Sequence, residues 1–273
     1  MNASFLKEID WRRPWLAPLL PAAAPILQAQ DWREALNAAA FAASLCNHRG
    51  LPIRFVPQSD LPADTPYEAF ISATGGVPTR SNLHDFFNAL VWLTFPKAKA
   101  QLNALQAMEI AGAARMPDAG GAHGARRGKL RDAATIFDEN AAILVATDQD
   151  LVAALRGHQW RELFIARRDD FSRDCTVCLF GHALMEKLVS PYKAITAHAY
   201  VLLADKAFFA VSPPEMRGWI DLRLATALAQ GLSTADFTPL PVLGVPGWWD
   251  VQDLQFYDDV AVFRPKRAVV LKI

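Results

Sequence analysis

In the stretch NLHDFFNALVWLTFP, apolar residues recur at Leu83, Phe86, Phe87, Leu90, Val91 and Thr94, and Pro96 closes the run. The i, i+3, i+4, i+7 spacing predicts a helix with one buried face, and a proline at that place ends or kinks it near Phe95. A helix this oily has to be covered by other elements, so the chain must build layers around it. A second helix is expected from Lys97 to about Ala114.

Other segments follow a different period. AITAHAYVLLA alternates and is rich in β-branched and aromatic residues, which predicts a strand. ATIFDENAAILVAT reads as two short strands around a turn at Glu139-Asn140, and ELFIARR as another buried strand. LPIRFVP is short and proline-bounded, the mark of an edge strand. Helices are expected at Asp31 to Asn47, Pro66 to Ser72, Gln149 to Gly157, within LFGHALMEKLVSP, and from Pro214 to Gly231. DAGGAHGARRGK has the composition of a loop.

The expectation is one α+β domain over residues 1–273, helix-rich in front, with a small mixed or antiparallel sheet in the second half. It has a proline-rich lead-in (1–30) and an irregular proline and aromatic tail (238–273). Charge excludes a broad electrostatic partner: 28 basic and 28 acidic residues cancel, so any nucleic-acid or membrane attraction has to be local. Three cysteines are too few for a disulfide framework and fit a reducing compartment. No apolar run reaches membrane-span length. Arg12-Arg13 before WLAPLLPAAAPIL imitates a signal peptide, but Glu8, Asp10 and four prolines argue against one, and a cytoplasmic setting is expected.

Several segments carry residues suited to chemistry. Asn82 and Asp85 have the spacing of a reciprocal helix cap, with aspartate replacing the usual Glu or Gln. His84 and Asn88, with Trp92 beside them, form a line that capping does not explain. His182 and Glu186 are i, i+4 and share a helix face, as two metal ligands or an oriented base would, although an exposed pair has the same spacing. Thr196, His198 and Tyr200 share one strand face, where a half-buried core histidine is the alternative. Cys175-x2-Cys178 followed by His182 offers three soft ligands but lacks a fourth. Arg126, Arg127, Lys129 and Arg131 could clamp phosphate or RNA, or simply be solvated. Asp138 and Glu139 could be acids or ligands at a turn.

Several blocks together are familiar: DWxxPWLxPL, VPTRxNLHDFFNALVWLTFP, RGxLRDAATIFDEN, FGHALMEKLxxPYKxITAHA, and LPVLGVPGWWD with FYDDVAVFRP. The chain resembles the uncharacterised proteobacterial family called domain of unknown function 3025, from about Asp10 to Pro265. The blocks contain His84, Asp85, Asn88, Asp132, Asp138, Glu139, His182, Glu186, His198, Tyr257 and Asp258, and omit Cys175 and Cys178. The resemblance brings no activity, cofactor or catalytic residue with it.

The function expected from the residues is a hydrolase-like enzyme acting on a small molecule. His84, Asp85, Asn88, His182, Glu186 and His198 would be catalytic, and Arg80, Trp92, Arg127, Arg131 and Tyr257 would bind substrate. A divalent metal is a further possibility, with His84, His182, Glu186 and His198 as its candidate ligands. The alternative is a nucleic-acid or phosphate-ligand binder using residues 126–131 with Trp248 and Trp249 as stacking surfaces. A non-catalytic interaction module is the third reading.

Overall fold

A computed structural model of the chain describes residues 4–115 and 122–266. The first half is helical. Helix α1 (Leu20–Leu27) tolerates Pro25 within its short length, and α2 (Trp32–Ala42) starts at Asp31, whose carboxylate accepts from the Arg33 and Glu34 amides at 2.9 and 3.1 Å. Trp32, Leu36 and Ala40 bury one face of α2. Strand β1 (Arg54–Val56) is held to α2 by Asn37, whose amide both donates to and accepts from the backbone of Phe55. Helix α3 (Tyr67–Thr74) stops at Gly75, in the left-handed region at φ 73°, and β2 (Gly76–Pro78) then pairs in parallel with β1. The stretch TGGVPTRSN, whose glycines and proline have the composition of a turn, therefore supplies β1 with its partner.

The opening motif forms α4 (Leu83–Thr94). The apolar spacing implied one buried face, yet every residue from Asp85 to Trp92 is buried. The reason is that α4 is the centre of the helical layer, packed by α1, α2, α5 (Pro96–Arg115) and α9 (His182–Lys187). Helix α5 begins directly on Pro96, and its first free amides are capped from far away in sequence. Asp221 of α10 (Pro213–Ala229) accepts from Lys97 N at 3.1 Å and from Ala98 N at 2.8 Å.

Helix α6 (Ala122–Asn140) corrects two expectations. ATIFDEN is its last turns rather than a strand, because Ala133, Ala134 and Phe137, at i, i+1 and i+4, bury a helical stripe. The basic run called a loop is in part its first turns; the run's residues 118–121 lie outside the described residues. The chain passes from α6 straight into β3 (Ala141–Ala146), six consecutive buried residues at the centre of a four-stranded mixed sheet. The order is β4-β3-β5-β6, with β4 (Cys175–Leu179) antiparallel to β3, β5 (Thr196–Leu203) parallel to it, and β6 (Phe237–Pro241) antiparallel to β5. The fold is α+β.

ELFIARR, expected as a strand, is a single wide helical turn at Glu162–Ala166 between α7 (Gln149–Arg156) and α8 (Arg168–Asp174). Leu163 and Phe164 are buried there, and Phe164 packs against Trp160 and Phe171. The tail is less irregular than expected, since it contains most of β6 and the short α11 (Leu254–Tyr257). Among the described residues, no helix is long and apolar enough to cross a membrane.

Candidate functional site

The site is assembled where α4, α6 and α9 begin or end. At the start of α4, Asn82 Oδ1 accepts from Asp85 N at 2.8 Å, as a cap should. The reciprocal half is absent, because the Asp85 carboxylate reaches back to Arg80, accepting from its backbone N at 2.6 Å, Nε at 2.9 Å and Nη2 at 2.9 Å. That fork fixes the turn and offsets the Arg80 charge. It also leaves His84 in the first helical turn, facing α9.

Helix α9 can approach only because Gly181 precedes it. A Cβ there would lie 2.4 to 2.6 Å from the backbone of Asn140 and Ala141, at the α6–β3 junction. His182, the first residue of α9, is thereby set against Asp138 and Glu139 at the end of α6 and is only 4% exposed.

The geometry is a converging set. His84 Nε2 and His182 Nε2 are 3.0 Å apart, with the rings edge to face. Glu139 Oε2 lies 3.4 Å from His182 Nε2 and 4.0 Å from His84 Nε2. Behind them stands a second carboxylate for each ring: Glu186 Oε2 is 2.9 Å from His84 Nδ1, and Asp138 Oδ1 is 3.8 Å from His182 Nδ1. Asp138 is in turn paired with the buried Lys99, Nζ to Oδ1 2.5 Å, and Lys99 lies over the Trp92 ring.

Protonation follows from these distances. Burial pulls the His182 imidazole down to about 4, outweighing the pull of Asp138, so this ring is neutral at neutral pH. Burial alone would push the Asp138 carboxyl up, but the Lys99 ammonium bonded to it holds it below its usual value. Burial, followed by the Asp138 charge, raises Glu139. His84 Nδ1 is within hydrogen-bond reach of Glu186, and a proton held there would leave the His84 Nε2 lone pair to accept from His182 Nε2–H at 3.0 Å. A metal ion would take the place of the proton shared by the two Nε2 atoms; His182 would then carry its proton on Nδ1, toward Asp138, with its Nε2 lone pair facing inward beside the Glu139 carboxylate. Nδ1 of His182 is buried and has no hydrogen-bond partner. Three lone-pair donors at these separations surround a point about 2 Å from each, the bond length of a first-row metal to imidazole or carboxylate. Among the described residues, His84, Glu139 and His182 are the one group of His, Cys, Asp and Glu side chains with metal-site spacing.

A cavity of ≈ 300 Å³ opens on this set and is also lined by Tyr67, Glu68, Arg80, Asn88 and Gln106. Asn88 is oriented by donating from Nδ2 to the Tyr67 hydroxyl at 3.0 Å.

Of the residues singled out in the sequence, the structure brings together His84, Asp85, Asn88, His182, Glu186 and Arg80. His198 does not join them: its Nδ1 accepts from Asn140 Nδ2 at 3.0 Å and its ring packs against Phe237. Trp92 is buried beneath Lys99, away from the cavity. Tyr257 lies on a different surface, in a cavity of ≈ 1070 Å³ with His158, Trp160 and Arg161, and its hydroxyl donates to Gly244 O at 2.9 Å. Arg131 is exposed on α6, and the Arg126 and Arg127 side chains lie outside the described residues. Trp248, offered as a stacking surface, is buried against Trp15. Cys175 and Cys178 are free, and burial pushes both thiols up to about 12, which is the opposite of what a thiolate ligand needs.

The residues that sequence reasoning underused are Glu139, Asp138 and Lys99. Reading FDEN as a hairpin tip hid that Asp138 and Glu139 follow a buried helical stripe and so point at neighbouring helices. Glu139, rather than Glu186, completes the donor set, and Glu186 stands behind His84.

A family model described as "Protein of unknown function (DUF3025)" matches residues 53–267. The chain belongs to the DUF3025 family. The match takes in every residue of the site and begins after the DWRRPWLAPL block. No curated protein and no solved structure matches the chain.

Proposed function

We propose that this DUF3025 protein is a divalent-metal-dependent enzyme of the hydrolase type, with the metal held by Nε2 of His84, Nε2 of His182 and a carboxylate oxygen of Glu139. The carrying observation is the convergence of these three donors, with the His84 ring held by Glu186 at 2.9 Å and the His182 ring facing Asp138 at 3.8 Å. Ligating histidines are oriented in this way, and two imidazoles with one carboxylate suit zinc or a neighbouring first-row ion. Three protein ligands leave coordination positions for water and substrate, so the ion could polarise a carbonyl or phosphoryl oxygen and activate water. Arg80, at the cavity mouth, would contact the substrate, and Asp85 would hold Arg80 in place. A cytoplasmic setting belongs to the same reading and is supported by the free thiols.

The test is zinc titration calorimetry on tag-free protein stripped with chelator. Wild type is expected to bind one equivalent. His84→Ala, His182→Ala and Glu139→Ala should each lose that binding, while His198→Ala retains it. Absence of stoichiometric binding by wild type, or its survival in all three ligand variants, refutes the assignment.

A further inference from the structure

Glu68 lies on α3, on the wall of the cavity that also takes in His84, Glu139 and His182. Its position is built rather than incidental. Asn103 of α5, only 1% exposed, donates through Nδ2 to both the Glu68 carbonyl oxygen at 2.9 Å and Oε2 at 2.6 Å. Among the described residues no cation pairs with this carboxyl. Lys99, the cation on that side, is paired with Asp138 instead. The charged and titratable groups facing Glu68 are Lys99 from α5, Asp138 and Glu139 from α6, His84 and Asp85 from α4, His182 from α9, Tyr67 beside it on α3, and Arg80, which is paired with Asp85.

A carboxyl held among other carboxylates without a counter-ion is costly to keep ionised. The fold does not require it, since a glutamine would keep both the shape and the Asn103 bond. Such a group, in a cavity beside a candidate metal position, is the mark of a site that moves protons.

Resting on the metal reading above, we propose that Glu68 is the proton-transfer residue of this site, acting on a substrate held between it and the metal ligands. For hydrolysis of a bond X–Y, the water oxygen forms its bond to X while the X–Y electron pair leaves with Y. Neutral Glu68 gives its proton to Y, and the proton released by the attacking water returns to Glu68, so that water and X–Y become X–OH and H–Y. A leaving group that needs this proton is a poor one, such as an amine or an alkoxide. A cavity of ≈ 300 Å³ is at the small end of ligand pockets, so the substrate class is a small amide or ester. Burial, followed by the Asp138 charge, raises the Glu68 carboxyl to about 7, which suits a group that must exist in both forms at neutral pH.

The experiment is a carboxyl-carbon NMR titration of full-length protein labelled at glutamate, with and without one equivalent of zinc, on wild type and Glu68→Gln. Thermal melting and zinc calorimetry on both proteins establish that each is folded and whether each binds metal. One glutamate signal should titrate near neutrality in wild type and vanish in the variant, and its midpoint should fall by a pH unit or more when zinc binds. Bound zinc with an unmoved midpoint, or no glutamate titrating near neutrality, overturns the role of Glu68 alone. Absence of zinc binding by folded wild type overturns the metal reading and this inference with it.

Discussion

Lys99→Met isolates what holds the back of the site together. Lys99 and Asp138 are both buried, with side-chain exposures of 4% and 9%, and they meet at 2.5 Å. Methionine keeps the stem and its contact with Trp92 but removes the charge. Asp138 is then a buried carboxylate beside Glu139 and Glu68, and breaking one side of such a pair costs about 3–5 kcal/mol. Part is recoverable, since Asp138 can turn toward His182 Nδ1 at 3.8 Å or take up a proton, so about 3 kcal/mol is expected. For a chain of this length that is a drop of roughly 5 °C in melting temperature. The double variant Lys99→Met/Asp138→Leu leaves no orphan charge and should recover most of the loss, to within about 1 kcal/mol of wild type. Urea unfolding in chelator, where no metal contributes, measures all three proteins. A single variant within about 1 kcal/mol of wild type, or a double variant no better than the single, refutes the view that Lys99 is there to neutralise Asp138.

Three further outcomes are expected. Gly181→Ala places a Cβ 2.4 Å from the Asn140 amide, so the α9 N-terminus must retreat; urea unfolding should show a loss of about 2 kcal/mol or more, and zinc affinity should fall with the displacement of His182. Asp221→Ala uncaps α5 and leaves two amides near a buried interface unsatisfied, which should cost about 2 kcal/mol in the same assay without changing metal affinity. Glu186→Ala removes the acceptor of His84 Nδ1–H and should weaken zinc binding about 10- to 100-fold by calorimetry, with little change in apo stability because the pair is partly exposed.

Much of the helical layer is legible in the residues, because apolar spacing and breakers are local signals: α4 with its Asn82 cap, α5 after Pro96, α7 and α10 all follow them. Strand β5 is legible for the same reason. What misleads is any segment whose state depends on distant partners. FDEN has turn-like composition, yet it is helical because Phe137 and two alanines are buried by elements far away in sequence. The sheet's order could not be read, since β3 pairs with β5 in parallel across α7, α8, β4 and α9. In the site, His84, His182 and Glu186 each stood out by residue type and local spacing. Their meeting depends on Gly181 letting α9 approach the end of α6, a contact across some forty residues that no local pattern encodes. Lys99 and Asp221 were invisible for a related reason: each looks like an ordinary helical surface charge until its partner arrives from another helix.

The central claim is tested most directly by an anomalous difference map, measured at the zinc edge, from crystals grown with one equivalent of zinc. The account predicts one dominant peak about 2 Å from Nε2 of His84, Nε2 of His182 and a carboxylate oxygen of Glu139, with Glu186 still bonded to His84 Nδ1. A map with no peak between these three side chains, or with zinc held elsewhere while His84 and His182 remain hydrogen-bonded to each other, contradicts it.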